Sequence, residues 1–180
     1  MQRELMGVTL MECLVALAIM GILSVLAVPS FRDLLARRTV LVTAEALVDD
    51  LRFARTEALK RGGQVSVCSS ANGLACSQSA VWVEGWIVFV DGGNTAVVDG
   101  RDEILRVQTR QSGMASIASD NPANDKSSFS FRPLGMASPA SQSFKFTPVA
   151  PVPANGERWV CMSSQGRPRL ALAGATSCSS

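Results

Sequence analysis

GVTLMECLVALAIMGILSVLAV, residues Gly7 to Val28, runs directly into Pro29. After Gly7 the stretch holds 21 residues with one ionisable carboxylate, Glu12, and one thiol, Cys13. At ~1.5 Å of rise per residue, a helix of that length spans a hydrocarbon core of about 30 Å. A secretory signal competes for any N-terminal apolar run, but its apolar core is usually about 7–15 residues and ends at a small-x-small cleavage site. This run is longer, and no A-x-A site with a composition break follows it. It reads as a retained membrane helix over 8–28.

Glu12 is the anomaly in that helix. A carboxylate at membrane depth costs about 2.5–3.5 kcal/mol on insertion scales, so it is read as functional and in need of a cationic partner. No Lys or Arg lies between Glu4 and Phe31. A cut after Gly7 would give Val8 a free, positively charged amine, on this chain or on a neighbouring copy. Gly7, then Val8-Thr9-Leu10-Met11-Glu12, an apolar helix and Pro29 together resemble the class III signal of type IV pilins and type II secretion pseudopilins. The resemblance implies a leader over 1–7, cleavage after Gly7 by a prepilin peptidase, and N-methylation of Val8. It also implies pairing of Glu12 with a neighbouring subunit's terminus during assembly, with Pro29 held inside the helix. The expected location is the inner membrane, crossed once, with the C-terminal domain in the periplasm and other pilins or pseudopilins as filament partners. The competing reading is an ordinary signal anchor in which Glu12 is incidental.

The chain has 180 residues and a net charge of +2. Without the membrane helix, about 150 residues remain, enough for one compact domain. Histidine is absent, which excludes a His-ligated metal and any His-based triad. Outside the membrane helix four cysteines remain, Cys68, Cys76, Cys161 and Cys178, and they allow three pairings. In an oxidising compartment the sequence-local pairing is preferred. A four-thiolate zinc site is the alternative, although neither close pair has the C-x(2–4)-C knuckle spacing.

From Pro29 to Arg61 the pattern becomes amphipathic. Leu34, Leu41, Ala44, Leu47/Val48, Leu51, Ala54 and Ala58 recur at three- and four-residue spacing, with Arg37, Arg38, Asp49, Asp50, Arg52, Arg55 and Lys60 between them. Gly62-Gly63 is a stop. Residues 8–28 and 29–61 thus predict one helix of about 80 Å. Its apolar stripe needs a cover, and residues 62–180 are the economical one.

After Gly63 the period is two. Strands are expected at Gln64–Cys68, Gly85–Val90, Ala96–Val98, Glu103–Gln108, Met114–Ala118, Ser128–Arg132, Ser143–Thr147, Arg158–Met162 and Arg169–Ala173, separated by Gly, Asn, Asp and Pro turns. The fold class is α+β, a long helix packed on an antiparallel β-sheet domain. GWIVFVDGGN followed by DGRDEILRV is similar to the β-domain of the GspH/FimT/FimU group, which makes the expected fold pilin-like.

Asp91, Asn94, Asp99 and Asp102 form an oxygen-rich cluster, but the spacing is not that of an EF-hand and Asp-Gly pairs are standard hairpin turns. No metal and no cofactor is expected. Serines lack a histidine to activate them and no nucleophile elbow is present, so an enzyme is not expected.

Charge is segregated along the chain. From Ser127 to Ser180, Arg132, Lys145, Arg158, Arg167 and Arg169 stand against Glu157 alone, a balance of +4. Residues 77–126 carry −3. Arg167 and Arg169, two apart in Gly166-Arg167-Pro168-Arg169, share one face of any strand. This segment resembles the Gly-Arg-x-Arg motif of FimT-type minor pilins, which implies double-stranded DNA as a partner, with Arg158, Arg167 and Arg169 as the candidate binding residues. The alternative is a solvated edge strand whose charges oppose aggregation, or a subunit contact.

Overall fold

The computed structural model describes residues 9–77, 79–100, 102–119, 127–139 and 142–178. Gly7 and Val8 lie outside the described residues. The chain divides into two units, Met1–Leu35 and Ala36–Ser180. Helix α1, Leu10–Arg61, is continuous and carries Pro29 inside it. Its N-terminal part is long and apolar enough to cross a membrane, and the side chains described there are exposed.

In the second unit, α1 is buried along one stripe made by Val40, Ala44, Leu47, Val48, Leu51, Ala54 and Ala58. Val40 takes the fully buried place expected for Leu41, and Leu34 remains about half exposed. Two antiparallel sheets cover the stripe. The first has the strand order β3 (Ile104–Gln108), β2 (Trp86–Val90), β1 (Val65–Ser69), β5 (Ser128–Phe131), β6 (Ala137–Ser138). The second has β4 (Met114–Ser119), β7 (Gln142–Pro148), β8 (Arg158–Met162), β9 (Pro168–Leu170).

Alternation decides which side chains meet the helix. Val65, Val67, Trp86, Val88, Phe129 and Phe131 from the first sheet join Met114, Ile117, Phe144, Phe146, Val160 and Met162 from the second in one core with the stripe of α1. A short 3-10 turn, Trp82–Glu84, places Trp82 between the sheets, with ring centroids 5.7 Å from Phe129 and 5.2 Å from Phe144. Phe129 and Phe144 lie 5.2 Å apart, edge to face, an arrangement that complements their quadrupoles.

Three expectations are corrected. Ala96–Val98 is a turn, not a strand. The Ala96 N–H donates to the Asp91 carboxylate at 2.8 Å and the Val97 N–H to Asn94 O at 3.0 Å, so the segment has spent its donors locally. The last strand ends at Leu170 because the chain turns back at 172–175 toward the Cys178 disulfide. Asp50, expected on the polar face, is 1% exposed. Its carboxylate accepts the Trp86 indole N–H at 2.8 Å and pairs with the Arg106 guanidinium at 2.9 Å. Arg106 also lies 3.7 Å over the Phe53 ring. At the end of α1, Arg61 bridges Glu57 and Glu103, each at 2.8 Å, and holds the Glu57 carboxyl below its ordinary value.

Candidate functional site

Two places hold the residues singled out by the sequence. The first is the start of α1. Thr9 caps it, accepting the Glu12 N–H on Oγ1 at 3.3 Å and the Cys13 N–H on its carbonyl at 3.1 Å. Thr9-x-x-Glu12 therefore has capping-box spacing, and the Glu12 carboxylate sits in the first turn, where the helix dipole favours negative charge. Glu12 is exposed and forms no ion pair among the described residues. Leu10, Met11, Leu14 and Val15 around it are exposed as well.

The second place is the β8–β9 hairpin. Its turn closes with the Gly166 N–H on Ser163 O at 2.9 Å and the Ser163 N–H on Arg167 O at 3.1 Å. Gly166 is left-handed (φ 72°), and a Cβ there would stand 2.6 Å from Gly135 O and 3.0 Å from Ala137 N. Only glycine lets the two hairpin turns touch. The Arg55 Nε of α1 donates to Gly135 O at 2.9 Å, so the helix braces the same junction. Gly166 of the Gly-Arg-x-Arg segment thus has a packing reason of its own.

Pro168 is buried, while Arg167, at the turn just before β9, and Arg169, within it, are both exposed. The Arg169 guanidinium donates to Cys178 O at 2.7 Å, which ties it to the segment closed by the Cys161–Cys178 disulfide. The Arg167 guanidinium makes no hydrogen bond or ion pair among the described residues. Register puts Cys161 opposite Arg169 and Phe146 opposite Arg158. Arg158 therefore belongs to the other face of the sheet, and its Nη1 is spent on Asn155 O (3.0 Å) and Glu157 O (2.9 Å). Lys145 is paired with Glu157 at 2.8 Å. Of the three candidate arginines, Arg167 and Arg169 are brought together and Arg158 is not. Arg132, which sequence reasoning left out of the site, is exposed in the hairpin turn that Gly166 touches. Its position at the end of a strand followed by Pro-Leu-Gly was the available signal.

The Gly-Trp-x-x-Phe-x-Asp stretch is used for packing. Trp86 answers Asp50, and Phe89 packs with Ile87 and Cys68 on the outer side of the first sheet, under the loop closed by the Cys68–Cys76 disulfide. Asp91 is buried, accepting hydrogen bonds from the Ser66 hydroxyl, from Gln64 Nε2 at 3.0 Å and from the Ala96 N–H. Asp102 accepts the N–H groups of Gly92 (2.8 Å) and Asp99 (3.0 Å). These carboxylates organise the 91–102 loop by holding its backbone donors.

A family model described as type II transport protein GspH matches residues 43–166. Among solved structures, the chain is similar to the type IV minor pilin FimU of Pseudomonas aeruginosa strain PAO1. The identity is 18%, over 79% of this chain and 96% of that one, with a TM-score of 0.61. It is also similar to the minor pseudopilin EpsH from the type 2 secretion system of Vibrio cholerae. There the identity is 13%, over 76% of this chain and 98% of that one, with a TM-score of 0.51. None of the curated protein sequences matches it.

Proposed function

This chain belongs to the GspH family, and on that premise we propose that it is a non-catalytic minor pilin or pseudopilin, built into a type IV pilus or a secretion pseudopilus. The observation that carries the reading is the division of α1. One continuous helix is apolar and exposed over its first part and buried under two sheets over its last part. An exposed apolar helix needs lipid or other helices around it. Residues 1–7 act as the leader, 8–28 cross the inner membrane once, 29–61 continue the helix, and 62–180 form the periplasmic domain. Prepilin peptidase cuts after Gly7 and Val8 is methylated. The Glu12 carboxylate pairs with a neighbouring terminus, and Pro29 sits where the lipid-facing part of the helix ends. In the filament, at the cell surface or in the periplasm, the β-domain supplies the exposed surface.

Intact-mass measurement after co-expression with a prepilin peptidase tests this. The expected product begins at Val8 and is heavier by one methyl group. An uncut chain, or a cut elsewhere, contradicts the proposal.

A second reading, DNA binding by the β8–β9 hairpin, is favoured by one observation: Arg167 is exposed and, among the described residues, its guanidinium is unpaired beside Arg169 on a braced turn. Such a pair suits phosphates, so binding would be indifferent to sequence and weaken steeply with salt. The double variant Arg167→Ala/Arg169→Ala is expected to lose most duplex binding in gel shifts at low salt. Binding equal to that of the unchanged protein removes this reading.

A further inference from the structure

On the outer face of the second sheet, strand β8, the 152–157 loop and the 174–176 segment enclose a cavity of about 270 Å³. Its chemistry differs from that of the arginine hairpin. The two charged groups lining it, Lys145 and Glu157, neutralise one another at 2.8 Å. Trp159, 8% exposed, is part of the wall, and its indole N–H makes no hydrogen bond among the described residues. The N–H keeps its donor capacity for water or a ligand. The Asn155 amide and the Thr176 hydroxyl add further donors and acceptors, and Val152 and Pro153 supply an apolar wall.

The cavity is also held in shape. Gly156 packs so tightly on Pro153 that a Cβ would stand 2.7 Å from its ring. Gly174 is left-handed (φ 81°), and a Cβ there would come into ordinary contact with Asn155 Oδ1 at 3.4 Å. The Cys161–Cys178 disulfide, packed with Trp159, Ala171 and Ala175, fixes the 174–178 segment over the sheet.

We propose that this cavity binds a neutral sugar residue, a single pyranose ring. The Lys145–Glu157 pair leaves the cavity with no net charge to attract an anion or a cation. A neutral polyol meets both partners without disturbing them, takes the free indole donor, and lays its C–H face on apolar wall. The volume lies just below the ~300–1,000 Å³ of sites for drug-sized ligands, so it takes one ring rather than an extended oligomer. The proposal is independent of both readings above.

The test uses the full chain in lauryldimethylamine oxide, a detergent without a sugar headgroup, and follows the three tryptophan indole signals by ¹H–¹⁵N NMR. Glucose, galactose, mannose and N-acetylglucosamine are titrated separately. At least one is expected to shift the Trp159 signal saturably, with a Kd in the region of ~1–10 mM, leaving the buried Trp82 and Trp86 signals in place. Thr176→Val, followed on the Trp159 signal, and Trp159→Phe, which lacks that signal and is followed on the backbone amide of Thr176, are each expected to weaken that binding about tenfold. The unshifted Trp82 and Trp86 signals report that each variant is folded. No saturable shift with any of the four sugars at 100 mM overturns the proposal. So does a saturable shift with sodium acetate or phosphate and none with sugars, or unaltered sugar affinity in both variants.

Discussion

Gly85→Ala is expected to destabilise the β-domain by about 3 kcal/mol or more, with loss of about 6–12 °C in Tm. Gly85 has φ of 119°, a conformation L side chains rarely adopt. A Cβ built there would stand 2.3 Å from Gln108 O, 3.0 Å from the Thr109 carbonyl carbon and 3.1 Å from Ser70 O. All three are backbone atoms, at the ends of β1 and β3, so none can swing aside as a flexible side chain would. The Ser70 N–H also donates to Gly85 O at 2.9 Å, which pins the pinch from the other direction. Gly100→Ala is the control. Nothing lies within 4 Å of a Cβ there, and its effect should stay within about 0.5 kcal/mol. Equal melting of the two variants, followed by near-UV circular dichroism, contradicts the packing described for β2.

The second large effect belongs to Asp50. Asp50→Ala leaves the fully buried Trp86 indole N–H without an acceptor, costing about 1–3 kcal/mol, while the Arg106 guanidinium, 43% exposed, turns to water for about 1 kcal/mol or less. A total of about 3 kcal/mol is expected from denaturant unfolding. Asp50→Asn keeps an acceptor for the indole and gives up only the charge, so it should cost about 1 kcal/mol. If Asp50→Asn proves as costly as Asp50→Ala, the ion pair and not the indole bond joins the helix to the first sheet.

Much of this molecule is legible in its sequence, and the exceptions share a cause. Period-two stretches mark β1, β2, β3, β4, β5, β7 and β8 to within a residue or two, because alternation is a property of each strand alone. Which strands are neighbours is not local. β1 pairs with β5 across more than fifty residues, and nothing in either stretch announces that the strands divide between two sheets. Ala96–Val98 alternates no worse than a real strand, but its N–H groups are taken by Asp91 and Asn94. Polarity alone puts Asp50 outward, but its spacing puts it inward, three residues after Leu47 and four before Ala54, both fully buried.

The candidate sites divide the same way. Arg167 and Arg169 are both exposed by simple parity about the buried Pro168. Placing Arg158 requires the register across the β8–β9 hairpin, and the tie between Arg169 and Cys178 O requires the disulfide. Thr9-x-x-Glu12 was readable as a capping box from the start, and gives Glu12 a local reason to sit in the first turn beside its proposed role in assembly.

That double reading makes Glu12 the residue on which to test the account. Glu12→Ala and Glu12→Gln should be compared for incorporation into filaments, by immunoblot of sheared fibres against whole-cell levels. Both variants are expected to reach the membrane in normal amount, be cut after Gly7, and remain out of the fibres. Fibres that contain Glu12→Ala as fully as the unchanged subunit would contradict the pairing of this carboxylate with a neighbouring terminus.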